Sequence, residues 1–311
     1  MFVHMENIIL QTRGITVKYG GFSALDNVSI SLKERHIYGF IGENGAGKTT
    51  LMKVITGLLY PDSGDLTLFG KNKPSDLLRM RRKIGSTIEA PALYPEYSAI
   101  RNLELQRIII GNPEKEICDK LLETVGLTSV GDKKVKKFSM GMKQRLSIAM
   151  ALIGKPKLLI LDEPTNGLDP KNIAELRALL KRLNDENDVT LFISSHILSE
   201  LYLLATDYYI IHKGRIIESL THDELCQKCR QYINIKTTEL PRCITTIEAA
   251  FGNVEYTVID SETMRLFSCV DRAEDVAKTL MNDHIVTKDF SVIEQSLEEY
   301  FLSITGGVCH A

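Results

Sequence analysis

Apolar and polar positions alternate along residues 8–32, with turn chemistry at Tyr19-Gly20-Gly21 and at Asp26-Asn27. This period of two predicts an antiparallel β-layer. The pattern then changes: residues 36–41 read as a strand, and residues 49–56 carry helical spacing that stops at Gly57. A turn at Tyr60-Pro61-Asp62-Ser63-Gly64 leads to a strand over 65–70, a helix over 75–82 and a strand over 83–88. That strand ends at Glu89-Ala90-Pro91, where proline breaks regular structure. From 98 to 150 the period is helical almost throughout. Ile100, Leu103, Leu105 and Ile108 mark one stripe; Ile117, Leu121, Leu122 and Val125 mark another, ended by Gly126. Leu158-Leu159-Ile160-Leu161 is apolar without alternation, as expected for the centre of a parallel sheet, and residues 189–194 form another such strand.

From Gln231 the order becomes strand 232–237, helix 242–251, strands 254–260 and 263–270, helix 271–282, strand 285–290 and a closing helix 292–304. That is βαββαβα, a split βαβ or ferredoxin-like plan. The pattern therefore predicts an α/β unit over residues 1–220, with a helical subdomain at about 90–150, and an α+β accessory unit over 221–311.

Composition narrows the classes. A chain of 311 residues is long for one domain and short for three. Hydrophobic residues at 44% and charged residues at 25% are normal for a globular protein. A net charge of −2 and a pI near 6.4 give no footprint of nucleic-acid binding. No apolar run approaches the roughly 18 residues that span a membrane. The N-terminus lacks the order of a signal peptide, so the expectation is a cytosolic chain that meets any membrane through a partner; Met1 and Met5 both remain as starts. The six cysteines are scattered. Cys226-Gln227-Lys228-Cys229 has metal or redox spacing, but with no second pair beside it the reading is two structural thiols.

The densest chemistry is Gly42-Glu43-Asn44-Gly45-Ala46-Gly47-Lys48-Thr49-Thr50. It fits G-x-x-x-x-G-K-[ST] between a strand and a helix, the context of a phosphate-binding loop. Glycines let successive N–H groups point at phosphate oxygens, and the following helix dipole adds attraction. Gly42, Asn44, Gly45, Gly47, Lys48, Thr49 and Thr50 then form the nucleotide-binding set. Lys48 would reach the β- and γ-phosphates, and the Thr49 hydroxyl would ligate Mg²⁺. Asp162 and Glu163 follow the apolar strand at its carboxyl end, where open α/β sheets bind ligands. Asp162 would hold Mg²⁺ through water, and Glu163 would polarise the attacking water. Ser139 is placed to cap the helix over 142–152, Tyr19 to present a ring that stacks on adenine, and His196 to stand at a strand end. The basic run Lys133, Lys134, Lys136, Lys137 reads as a solvated face.

Taken together, residues 6–218 resemble the nucleotide-binding subunit of an ABC transporter. Tyr19 matches the aromatic A-loop, Gly42 to Thr50 Walker A, Ser139-Met140-Gly141-Met142 the signature helix start, and Asp162-Glu163 the end of Walker B. Asp169 matches the D-loop and His196 the switch histidine. Two departures stand out. The usual LSGGQ is here Phe138-Ser139-Met140-Gly141-Met142, and the Q-loop position holds Glu89. Both resemble the subfamily that exports peptide antibiotics for self-protection, against bacitracin and lantibiotics. The resemblance implies a P-loop ATPase using ATP and Mg²⁺, with Glu163, His196 and Glu89 as catalytic residues and Thr49, Asp162 and Glu89 around the metal. It also implies Ser139, Gly141 and Met142 acting across an ATP-dependent homodimer, and a separate permease at the cytoplasmic face of the membrane. Glu89 itself reads as an exposed, unpaired loop acid.

Two other classes compete. A soluble ABC ATPase acting on ribosomes or DNA mostly carries two cassettes or a long coiled-coil insert, and neither is present. A small-molecule kinase would need an acceptor site or a lid, and none is visible.

Overall fold

Strands β1 (Ile8–Tyr19), β2 (Phe22–Val28) and β3 (Ser31–Lys33) open the computed structural model, which describes residues 7–89, 92–293 and 297–305. Met1, Met5, the break at Ala90-Pro91 and Cys309 lie outside the described residues. The chain continues through β4 (Ile37–Ile41), α1 (Lys48–Thr56), β5 (Ser63–Leu68), α2 (Pro74–Met80) and β6 (Ile84–Thr87). Then come α3 (Ala99–Ile110), α4 (Ile117–Thr124), α5 (Met140–Leu152), β7 (Leu158–Leu161), α6 (Pro170–Asn187) and β8 (Thr190–Ser195). Helix α7 (Leu198–Tyr202), β9 (Asp207–His212), β10 (Arg215–Thr221) and α8 (His222–Lys228) follow. The chain divides into two compact units, Met1–His222 and Asp223–Ala311.

In the first unit β1 is the hub of an antiparallel layer, pairing with β2, β3 and β5. The turn expected at Asp26-Asn27 is not there. Both residues lie inside β2, where Asn27 takes a φ of +58° and the ladder shifts register. Thr16 accepts the Asn27 N–H and Arg215 pairs with Asp26, so this stretch stays in the strand as a bulge.

The second sheet has the order β10-β9-β4-β8-β7-β6 and is parallel except for β10. Every residue of β4, β7 and β8 is buried, which is why their sequences do not alternate. Phe40 of β4 stacks on Phe192 of β8 with ring centroids 5.1 Å apart. The parallel order has one consequence for chemistry. The carboxyl ends of β4, β8, β7 and β6 lie side by side, so the chain leaving each strand emerges at one edge.

Helices α3 to α5 fill the connection between β6 and β7 and form the helical subdomain. Local chemistry fixes their ends. Ser98 caps α3 by accepting from Arg101 N, and Gly111 ends it at a φ of +77°. Ser139 caps α5 by accepting from Met142 N. Lys134 and Lys136 of the basic run are not simply solvated, because both pair with Glu96.

The second unit contains β11 (Tyr232–Thr237), α9 (Leu240–Phe251), β12 (Tyr256–Val258), β13 (Thr263–Leu266), α10 (Ala273–Asn282), β14 (Thr287–Ile293) and α11 (Leu297–Thr305). Its sheet order, β12-β13-β11-β14, is antiparallel throughout, as the ferredoxin-like plan requires. Val292 and Ile293, expected in the closing helix, extend β14 by pairing with Ile233 and Tyr232. The core joins Ile233, Ile235, Cys243, Ile247, Met264, Leu266 and Leu280. Burial pushes the Cys243 thiol up to about 11.

Candidate active site

Gly42 leaves the end of β4 and Gly47 enters α1. A Cβ on Gly42 would meet Ile211 O at 2.5 Å, and one on Gly47 would meet Ala24 O at 2.5 Å with φ at +111°. The loop is thus wedged on its inner side. Gly45, at a φ of +82°, has nothing within 4 Å of its Cβ position. Lys48 is 5% exposed, and its Nζ donates to Gly42 O at 2.6 Å and Glu43 O at 3.2 Å. Around the loop lies a cavity of about 280 Å³ lined by Tyr19, Phe22, Ala24, Asn44, Gly45, Gly47, Lys48, Thr49, Thr50 and Glu163. Phe22, which the sequence reading missed, stands with Tyr19 at its rim, and both rings are exposed. Its position directly after the Gly20-Gly21 turn was the available signal.

The carboxylates come from β7. Asp162 Oδ2 accepts from Thr49 Oγ1 at 2.7 Å, and Oδ1 accepts from Ser194 Oγ at 2.6 Å. The same Ser194 hydroxyl accepts from Glu163 N at 2.8 Å. Ser194 is fully buried. One hydroxyl on β8 therefore holds both the Asp162 carboxylate and the Glu163 backbone, just beyond the end of β7. The sequence reading missed it too, although a serine at a buried position of an apolar strand needs a partner. Glu163 sits at a φ of +49°. Its Oε1 lies 3.1 Å from Lys48 Nζ and its Oε2 lies 2.5 Å from His196 Nδ1. Lys48, Glu163 and His196 thus form one polar chain across the ends of β4, β7 and β8.

Glu89 follows β6 and is 63% exposed, but it is not unpaired as expected. Lys53 of α1 donates to Glu89 Oε1 at 2.5 Å. The reason is helical geometry: Lys53 lies about one and a half turns beyond Lys48, on an α1 face turned to the β6 loop. The hydrogen bond to Glu89 holds the Lys53 ammonium above its ordinary value, with smaller contributions from the charges of Glu89, Tyr19 and Asp162.

The signature residues stand apart. Ser139, Gly141 and Met142 are not among the residues lining the phosphate cavity. Gly141 instead packs against α6. A Cβ on Gly141 would collide with the Asn172 side chain, and Asn172 donates its backbone N–H and its side-chain Nδ2 to Asp169, both at 2.8 Å. Asp169 is the N-cap of α6. Those hydrogen bonds, the Asn172 backbone one foremost, hold its carboxyl below the ordinary value.

Thr49 and Asp162 offer hard oxygen ligands side by side, suited to a Mg²⁺ ion that brings phosphate and water as its remaining ligands. Among the described residues, Cys226 and Cys229 among them, no cluster of three or more His, Cys, Asp or Glu groups could hold a metal ion. Burial, then the neighbouring Cys226, pushes the Cys229 thiol up to about 11.

The chain is similar to known proteins. The family described as ABC transporter matches residues 25–166. The bacitracin transport ATP-binding protein BcrA of Bacillus licheniformis is 40% identical over 299 residues, 96% of this chain and 98% of that protein. The lantibiotic transport ATP-binding protein SrtF of Streptococcus pyogenes is 44% identical over 215 residues, 69% of this chain and 92% of that protein. A dimeric ATP-binding cassette in a post-hydrolysis state, bound to ADP and Pi, superposes with a TM-score of 0.62 at 25% identity, covering 69% of this chain and 99% of that one.

Proposed function

The chain belongs to the ABC transporter family as an ATP-binding, ATP-hydrolysing subunit, and from that premise we propose that it drives a separate membrane permease that exports a peptide antibiotic. Support for the cargo comes from the two relatives named for bacitracin and lantibiotic transport and from Glu89 at the Q-loop position. On this reading the permease is a different chain and this one works at its cytoplasmic face; no helix among the described residues is long and apolar enough to cross a membrane.

The observation that carries the mechanism is the meeting of Lys48, Asp162, Glu163 and His196 at one sheet edge. Gly42 to Thr50 bind the phosphates of ATP, and Tyr19 stacks on its base. Thr49 and Asp162 would hold Mg²⁺, which would neutralise phosphate charge. Arriving phosphate draws Lys48 off Glu163, leaving Oε1 for the attacking water. Glu163 takes the water proton as its oxygen bonds to the γ-phosphorus. The bond from that phosphorus to the bridging oxygen breaks, and ADP leaves with the electron pair. His196 keeps the Glu163 carboxylate aimed. Ser139, Gly141 and Met142 act on the nucleotide of a second copy of this chain, placed against it head to tail.

The test is purification from cells after solubilising the membrane. The reading expects an integral membrane protein to co-purify, and expects cells lacking either chain to lose resistance to the peptide antibiotic. Recovery of ribosomes or DNA instead of a membrane protein would overturn it.

A further inference from the structure

Glu163 and His196 touch through side chains that have several rotatable bonds, and they leave different strands. Their contact lasts only if the two chain segments keep their relative position. One side chain bonds both segments. Glu200 of α7 accepts from Thr165 Oγ1 at 2.5 Å and from Ser195 Oγ at 3.3 Å, both on the same oxygen. We infer that Glu200 is a positioning residue for hydrolysis, tying the segment that carries Glu163 to the segment that carries His196.

Each end of this tie is itself anchored. Thr165 sits within consecutive turns, in which Asn166 N donates to Glu163 O at 3.2 Å and Leu168 N to Thr165 O at 3.1 Å. These turns run directly from Glu163 to the Asp169 cap. On the other side, Ser195 is buried and its hydroxyl accepts from Ile197 N at 3.0 Å, so His196 hangs between two held positions. Glu200 does not line the phosphate cavity. It acts through other residues, and it gives displacement at Asp169 a bonded route to His196. This role rests on the reading of Glu163 and His196 as the hydrolytic pair.

The test uses the full chain with Thr165→Val, Glu200→Ala, Glu200→Gln and the double variant. Thr165→Val and Glu200→Ala should each lower kcat about tenfold, less than the roughly 10²-fold of a full 1 Å misplacement, with the KM for ATP unchanged within about twofold. The double variant should fall no further than the lower single, and Glu200→Gln, which keeps an acceptor oxygen, should recover most of the rate. Wild-type kcat in both singles, multiplied losses in the double, or KM rising in step with lost kcat would overturn the proposal. Should Glu200→Ala fail to fold, hydrogen exchange of Thr165→Val decides. Segments 163–169 and 195–198 should both exchange faster, and a change confined to one contradicts the tie. Normal turnover in Glu163→Gln would remove the hydrolytic pair, while the exchange result would still judge Glu200 by itself.

Discussion

Two regions of the ATPase unit carry its motifs, and they are finished to different degrees. At the carboxyl edge of the parallel sheet, Lys48 and Asp162 are almost buried, Glu163 is 20% exposed, and each is held by a named partner. At the start of α5, Ser139 only caps its own helix and Met140 is 54% exposed. Tyr19 and Phe22 at the rim of the phosphate cavity are 53% and 61% exposed. The enclosed region is a set of charges oriented in advance, which is what electrostatic catalysis needs. The open region leaves those side chains to solvent. On the proposed function, the difference means that one chain holds its water-activating residues in place by itself and leaves the covering of the nucleotide to a second copy.

The comparison breaks most visibly at Glu163. Positioned proton transfer contributes roughly 10²–10⁴-fold, so Glu163→Gln should retain MgATP and turn over at least about 100-fold more slowly in a phosphate-release assay. Near-normal turnover would remove Glu163 from the role. Next is Lys48→Ala. A charge-assisted contact to phosphate is worth about 1.5–3 kcal/mol, so nucleotide titration should show ATP affinity lower by about 10- to 150-fold. Unchanged affinity would contradict the phosphate-loop assignment.

Gly141→Ala sharpens the other side. The new methyl collides with Asn172 and pulls it from Asp169, so the α6 cap should weaken by about 1 kcal/mol in thermal melting, with slower turnover besides. An unaltered melt would mean that α5 and α6 part freely. At Glu89 the ion pair with Lys53 is exposed and worth no more than about 1 kcal/mol, so Glu89→Gln should leave the melt nearly unchanged. Its effect should lie in coupling of ATP use to transport, about 1–3 kcal/mol, with Glu89→Ala doing more. Full antibiotic resistance in Glu89→Ala cells would remove Glu89 from that role.

The smallest expected effect is at Asp169. Its carboxyl is held below the ordinary 3.8, so its contribution is fully present above that value and is lost as pH falls through the lower, folded-state value. Asp169→Asn keeps a capping oxygen but does not titrate there. Melting curves of the two chains should therefore diverge only on the acid side below about pH 4; parallel curves would show that the cap does not depend on charge.

The fold was largely legible because its burial rules are simple. Strands buried on both faces cannot alternate, and β4, β7 and β8 do not. Gly57 and Ser139 mark helix ends by chemistry that reads locally. The miss at Asp26-Asn27 came from a distant partner, Arg215, which no local pattern announces. The same limit applies to the site. Lys48, Asp162 and Glu163 stand in recognisable local motifs and His196 was reached through the family resemblance, whereas Ser194, Lys53 and Glu200 matter through contacts between segments distant in sequence. Phe22 was missed because an exposed aromatic beside a turn has many meanings.

The central claim is that the open region is completed by a second copy of this chain. Light scattering of Glu163→Gln at saturating MgATP tests it most directly, since slow turnover keeps the nucleotide in place. The account predicts a dimer that returns to monomer when Ser139 is replaced or the nucleotide is removed. Monomers at saturating MgATP would contradict it.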